Sequence, residues 1–354
     1  MAFRVESLLN PGTEEYAGGG QEVMGIAGIA AAARKVEELG FDGAMTPEAG
    51  LDPFLPLMIV AEHTQRITLG TNVAIAFPRS PMVTAQIAWD LQRFSRGRFR
   101  LGLGTQVKGH NERRYSTPWN VPPGPRLREY IQCLRAIFET FQSGKKPSYA
   151  GQYYQFTLMS PLFNPGPIEH AYVPIDIAVV NTYIAGLAGE LCDGVRLHPI
   201  ATFKYAREIL LPVIAKGAAK AGRPVSAVTM IGAPFLAIGG NAKEVEEARN
   251  ALRQKIAFYA STRTYHTVLD FHGWHDTGMK LHDLSLEGKW KELPALITDE
   301  MLEEWAIVAT YDEFAAKAKQ RCAGIFDNIL LDLPPQVRAN ESWLRGVVQA
   351  LHAD

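Results

Sequence analysis

Between residues 3 and 352, short apolar runs rich in β-branched residues alternate with longer stretches whose apolar residues recur every three to four positions. This alternation restricts the chain to very few architectures. The strand-like runs are "FRVESLL" (3–9), "FDGAMTP" (41–47), "ITLGTNVAIAF" (67–77), "RFRLGLGTQV" (98–107), "VPIDIAVV" (173–180), "DGVRLH" (193–198), "AVTMIGAPFLAIG" (227–239) and "FDNILLDLP" (326–334). Most are apolar along their length, as in parallel strands covered on both faces. Helical patterns lie at 23–40, 53–65, 81–95, 126–142, 182–191, 203–221, 241–260, 312–323 and 341–352; in the fourth, Ile131, Leu134, Ile137, Phe138 and Phe141 keep the helical period. Eight such units close naturally into a barrel, so the fold class expected is α/β, a (β/α)8 TIM barrel, with a doubly wound open sheet as the alternative. No strand–helix junction carries a dinucleotide fingerprint, which favours the closed form. Insertions are expected after helix 4 (144–172, with one short strand pair) and after helix 7 (261–305), within a single domain spanning 1–354.

Composition removes several classes of function. Lys and Arg number 36 against 37 Asp and Glu, a formal net charge of -1, so no global field favours nucleic acid. Cys133, Cys192 and Cys322 are far apart and form no C-x-x-C pair, which argues against a disulfide framework and a zinc knuckle and suits a reducing cytoplasm. The chain shows no signal-peptide core and no run of about eighteen apolar residues, so neither export nor a membrane span is expected.

In such a barrel the chemistry sits at the C-terminal ends of the strands. Those ends carry Asn10, Glu48 in "TPEAG", "NVAIAFPRSP", "TQVKGH", "NTY", "HP" and "GGN". The stretch "LGLGTQVKGHNERRYSTPW" (101–119) has Gly102 and Gly104, but Val107 stands where a dinucleotide loop needs glycine, and Lys108 is followed by Gly109 rather than Ser or Thr, so it is no P-loop. Its glycines leave room on one strand face, either for a ligand or for barrel packing. The polar part is read as a solvated rim or, more sharply, as a pocket mouth lined by His110, Arg113 and Trp119; His110 and Glu112 make a poor metal pair with no third ligand. A second cluster, "YHTVLDFHGWHDTGMKLHD", holds His266, His272, His275 and His282. A metal on His272, His275 and Asp276 is disfavoured, because Gly273 and Trp274 interrupt helical presentation; a loop covering the barrel mouth is the preferred reading. Asn181 and Thr182 open the helix after strand five, as ordinary capping or as an anion site. Paired carboxylates of the glycosidase kind are absent from the strand ends apart from Glu48.

The phrases "GFDGAMTPE", "ITLGTNVAIAFPRSPMVTAQIAWDLQRFSRGRFRLGLGTQ", "AGELCDGVRLHP" and "ATYDEFAAKAKQRCAGIFDNILL" resemble, in order and spacing, the bacterial luciferase-like oxidoreductases over about residues 20–333. "GLGTQVKGHNERRYSTPW", "DPFLPL" and "LDFHGWHDTG" are most similar to the branch that uses the deazaflavin coenzyme F420 rather than FMN. The resemblance implies a tricyclic ring at the barrel mouth, backed by a bulge and a cis peptide at Asn72–Val73. It implies cofactor contacts from Thr71, Asn72, Val73, Thr105 and Gln106, and from Val179, Val180, Asn181 and Thr182 at the phosphate end. Relatives often carry "SDH" where this chain has "TPE", so the neighbouring histidine is missing, and Asn181 replaces a usual glycine.

The activity expected from the resemblance is hydride transfer between F420 and an alcohol or carbonyl, an imine or an activated alkene, with Glu48, His110 or His198 moving the proton. His198, directly after strand six, is preferred. Trp119, His272 and Trp274 are expected to shape the substrate pocket. The alternatives are an FMN-dependent monooxygenase, a non-catalytic flavin-binding protein and a metal-dependent hydrolase. A cytoplasmic homodimer acting on a small molecule, without nucleic acid, membrane or metal, completes the expectation.

Overall fold

The structure, a computed structural model, describes residues 2–9 and 25–354, with the side chain of Pro335 left aside. The expected end of the first strand at Asn10 and the start of the first helix at 23–24 lie outside the described residues.

Eight parallel strands close a barrel: β1 (Arg4–Leu8), β2 (Gly43–Thr46), β3 (Thr68–Thr71), β4 (Phe99–Gly104), β5 (Ile175–Val179), β6 (Gly194–Leu197), β7 (Thr229–Gly232) and β8 (Asn328–Leu331). Each pairs in parallel with the next, β7 with β8 through Ile231 opposite Asn328, and β8 returns to β1 with Val5 opposite Ile329. The β3–β4 junction is bridged at Leu69 opposite Phe99 and again by a two-residue strand, Ala74–Ile75, opposite Leu103 and Gly104. Closure satisfies every strand edge, which decides against the open sheet.

Helices surround the barrel at Ile29–Glu38, Leu55–His63, Pro81–Phe94, Pro123–Ser143, Thr182–Leu191, Leu211–Lys220, Ala242–Ala260, Phe314–Cys322 and Glu341–His352. Leu55–His63 and Pro81–Phe94 both begin with proline in the first turn, where a missing N–H costs nothing. The long helix expected at 203–221 contains one wide turn, Ala206–Leu210, just before Pro212, whose absent N–H breaks the regular ladder.

Two expectations need correction. The run 227–239 is not one strand: Ala233–Pro234 ends β7, and Phe235–Gly239 leaves the barrel to pair in parallel with Ala306–Thr310 in a separate two-stranded sheet. Pro234 has no N–H to offer a barrel ladder, and a continuous apolar composition hides that break. The polar stretch after β4, expected as a solvated rim or a pocket mouth, is a short and mostly exposed helix, Lys108–Arg114. The segment 261–305 is not a loop but largely helical, at His266–Phe271, His275–Leu286 and Asp299–Trp305, and it builds its own core from Leu269, Leu281, Leu302 and Trp305 against Phe235, Ile256 and Ile200. The insertion after the fourth helix does contain the expected strand pair, Tyr149–Ala150 with Gln155–Phe156.

The barrel interior is ionic at its centre. Arg196 on β6 donates to Glu6 on β1 at 3.0 Å and to Asp176 on β5 at 3.1 Å; Arg100 on β4 grips the same Asp176 at 3.1 and 2.5 Å, and Asn328 on β8 donates to Glu6 at 3.0 Å. Burial alone would raise the Asp176 carboxyl; the guanidiniums of Arg100 and Arg196 outweigh it and hold the pKa below the ordinary carboxylate range. Charges buried this deeply persist only when every partner is in place.

Candidate active site

At the C-terminal end of the barrel, the loops after β2, β3 and β4 form one wall. The chain leaves β3 through a cis peptide bond at Asn72–Val73 and re-pairs with β4 at Ala74–Ile75. Asn72 N donates to Thr46 O at 2.8 Å, and Ala76 N to Gly104 O at 2.9 Å, so this segment is pinned between its neighbours on both sides. Gly104 allows the approach: a Cβ there would lie 2.7 Å from Val73 Cγ2. The hydroxyl of Thr71 is buried and spent on β4, donating to Gly102 O at 2.6 Å and accepting from Gly102 N at 3.0 Å. Asn72, Val73, Thr105 and Gln106 are partly exposed beside one another. Gln106 sits in the left-handed region at φ 56 and its own Oε1 accepts from Val107 N at 2.9 Å. A non-glycine residue held there, at a strand's end, is a recurrent mark of a functional loop.

Behind this wall lies a polar clamp. Glu48 accepts from Ile75 N and from Arg79 Nη1, both at 2.7 Å, and Arg79 also reaches Asp52 at 3.1 Å. Tyr115, from the loop after β4, donates to Glu48 at 3.3 Å. Burial, then the nearby Glu48 carboxylate, raises the Tyr115 hydroxyl above its ordinary value. Trp119 stands edge-on to Phe77, 5.8 Å between centroids, and Arg126 lies 4.3 Å over the Phe77 ring.

Next to this wall, because β5 pairs with β4, the helix Thr182–Leu191 begins. Asn181 caps it, its Oδ1 accepting from Ile184 N at 3.0 Å; Val179 is buried, Val180 half-buried, and Asn181 and Thr182 exposed. Helix starts leave backbone N–H groups without intrahelical acceptors, so this end can receive an anion.

The opposite wall is aromatic. His198, following β6, lies between Tyr265 and Tyr259, each 4.9 Å away. Its Nδ1 accepts from Ile200 N at 3.1 Å, so the neutral ring carries its proton on Nε2. Burial, assisted by the Lys255 ammonium, pushes the His198 pKa down to about 4. His272 stacks on Trp274 at 4.3 Å and 11°, its Nε2 meets Thr202 Oγ1 at 2.7 Å, and Trp274 leans on Trp305, whose Nε1 donates to Ile200 O at 2.6 Å. These contacts fasten the 261–305 segment to the loop after β6. His110, on the short helix after β4, is exposed; desolvation and then Arg114 and Arg113 lower its pKa. His275 pairs with Asp270 at 2.7 Å, and no group of three or more His, Cys, Asp or Glu suited to a metal occurs among the described residues.

With the geometry in place, comparison with known proteins is decisive for ancestry. The sequence model for luciferase-like monooxygenases matches residues 4–327. The chain belongs to this family. An uncharacterized protein of Mycobacterium tuberculosis is 42% identical over 324 residues, covering 92% of this chain and 94% of that one. The 5,10-methylenetetrahydromethanopterin reductase of Archaeoglobus fulgidus is 31% identical over 265 residues, 73% of this chain and 74% of that one. Among solved structures, the coenzyme F420-dependent tetrahydromethanopterin reductase of Methanopyrus kandleri superposes with a TM-score of 0.78 at 20% identity, covering 99% and 98% of the two chains.

The luciferase-like barrel thus brings Asn72, Val73, Thr105 and Gln106 together on one wall and His198, His272 and Trp274 on the other. Arg79, Tyr115, Thr202, Tyr259, Tyr265 and Trp305 do not stand out in the sequence. Arg79 has a signal, a lone cation directly after a strand in "FPRSP"; the tyrosines and Trp305 have none, since nothing in a helical stretch announces which strand end it will face.

Proposed function

We propose that this chain is an F420-dependent oxidoreductase that moves hydride between the deazaflavin and a small organic substrate, an alcohol or carbonyl, an imine or an activated alkene. The observation that carries this reading is the convergence on adjacent strands of the pinned 72–75 segment, the half-buried Thr105–Gln106 turn and the Asn181-capped start of the Thr182–Leu191 helix. The residues present fit such a group. Gly104 and Gly102 keep β4 clear where the 71–73 segment crosses it, the wall offers main-chain and small polar groups to a flat ring, and the helix start offers N–H groups to a phosphate. Asn111, fully buried, donates to Thr105 O at 2.9 Å and Val107 O at 3.2 Å, which sets the turn from behind and leaves its Oδ1 without a partner among the described residues.

When bound, the deazaflavin supplies or receives the hydride. The protein has to hold, polarise and shield. Because its pKa is near 4, His198 stays neutral at pH 7 and offers Nε2–H to a substrate oxygen as a hydrogen-bond donor. His110, exposed at the rim, can exchange a proton with water. Trp119 on one side, and His272 with Trp274 on the other, limit the width available to the substrate and keep water from it.

The second reading, FMN-dependent oxygenation, is supported by the family's description as monooxygenases. Titrating the purified protein with F420 and with FMN, followed by fluorescence, separates the two. The deazaflavin is expected to bind at least about tenfold more tightly, a difference of about 1.4 kcal/mol. Tighter binding of FMN, with oxygen uptake dependent on FMNH2, would replace the first reading by the second; saturable cofactor binding with no turnover of any alcohol or carbonyl would favour a non-catalytic flavin carrier.

A further inference from the structure

Glu48 is engaged within the protein through both carboxylate oxygens and turns almost none of its surface to the opening. Its Oε2 accepts from Ile75 N at 2.7 Å and from Arg79 Nη1 at 2.7 Å, its Oε1 accepts from the Tyr115 hydroxyl at 3.3 Å, and its side chain is 5% exposed. Arg79 is held just as fully: Nη1 also donates to Ile75 O at 3.1 Å, Nη2 reaches Asp52 at 3.1 Å, and the guanidinium lies 5.4 Å over Phe54. Asp52 in turn accepts from Phe54 N at 2.8 Å and Leu55 N at 3.1 Å, fixing the start of the helix Leu55–His63. Arg114 adds a direct link, donating to Ala49 O.

The carboxylate therefore joins three successive loops of the barrel mouth, those after β2, β3 and β4, and it does so at Ile75, at the far end of the segment that leaves β3. We propose that Glu48 is a positioning residue: with Arg79 and Tyr115 it sets the distance between the 72–75 segment and the Thr105–Gln106 turn, and so the width of the slot offered to the cofactor ring. The inference rests on the cofactor reading above and gives Glu48 a different part from that of proton donor. Charge-assisted hydrogen bonds are the strong ones, so the clamp is rigid where neutral loops would drift.

The test compares wild type with Glu48→Gln, Glu48→Ala and Tyr115→Phe, each titrated with F420 and with FMN while the absorbance spectrum of the bound ring and the melting temperature are recorded. Glutamine keeps an acceptor for Ile75 N and Arg79, whereas alanine removes both; losing hydrogen bonds to a charged partner weakens ring binding in Glu48→Ala by about tenfold or more. The bound ring's spectrum should then move toward that of free cofactor, Glu48→Gln should recover binding to within about threefold, and Tyr115→Phe, which loses one long hydrogen bond, should change it by less than about threefold. Wild-type affinity and spectrum in Glu48→Ala would overturn the proposal alone, as would Glu48→Gln failing as badly as Glu48→Ala while melting like wild type. Wild type binding neither cofactor would overturn the proposal and the cofactor reading together.

Discussion

The two walls of the barrel mouth are built on opposite principles. Around Glu48, Arg79, Asp52 and Tyr115, loops belonging to the barrel itself are joined by charged, fully engaged hydrogen bonds. Across the opening, His198, Tyr259, Tyr265, His272, Trp274 and Trp305 meet through ring faces and edges, and most of that wall comes from helices added to the barrel. Directional bonds fix positions to fractions of an ångström and suit a partner that never changes; aromatic surfaces fill shape with few directional demands and tolerate a different occupant after a few substitutions. On the proposed reading, the first wall suits an invariant cofactor and the second is where substrate choice can change.

Breaking each wall should produce different symptoms. The largest effect is expected from Trp305→Ala: the indole is fully buried in the second core, so the substitution should cost about 4 kcal/mol in guanidinium denaturation. Its cofactor affinity should stay within about twofold of wild type, since Trp305 is held by Trp274 and the Ile200 carbonyl on the aromatic side. Arg79→Ala should cost somewhat less, about 3 kcal/mol, because it strands the nearly buried Glu48. Unlike the first substitution it should also weaken cofactor binding, and equal effects of the two on ring affinity would erase the distinction between the walls.

A pH series sharpens the contrast further. The folded protein holds His198 near pKa 4, below the value of about 6.5 that an unfolded chain has. The unfolded state thus binds this proton first, so the stability contributed by a neutral His198 is complete above about pH 6.5 and is lost as pH falls toward 4. Denaturation midpoints measured between pH 7 and pH 4 should fall less steeply in His198→Gln than in wild type; parallel curves would show that the ring is not held neutral. The smallest effect is expected for His272→Phe, which keeps the stack on Trp274 and loses the bond to Thr202: about 1 kcal/mol in stability, with any change in turnover appearing in KM for the organic substrate rather than in cofactor affinity.

Much of the architecture is legible in the residues alone. The helices 182–191 and 341–352 match their expected limits residue for residue, because each begins at an asparagine cap and keeps its apolar period to the end. The resemblance places the cis bond at Asn72–Val73, where it is found. The run 227–239 misleads because one proline in thirteen apolar residues is a faint signal, although Pro234 is where the chain leaves the barrel. The helices of 261–305 escape notice because Gly273 interrupts their period, with φ 77 in the turn between two of them. Glu6, Arg100, Asp176 and Arg196 each stand inside an apolar strand run, a pattern that signals paired interior charge, yet only the barrel shows that they are each other's partners.

Local order, periodicity and capping residues are properties of neighbours along the chain, so the sequence by itself determined the eight strands, most of their helices and the end of the barrel where chemistry would lie. Which side chains face one another across that end depends on strand register and closure, which relate residues far apart in the chain, 322 positions in the bond from Asn328 to Glu6. Only the tertiary structure could therefore decide that Glu48 closes a clamp with Arg79 and Tyr115, and that His198 stands neutral between two tyrosines.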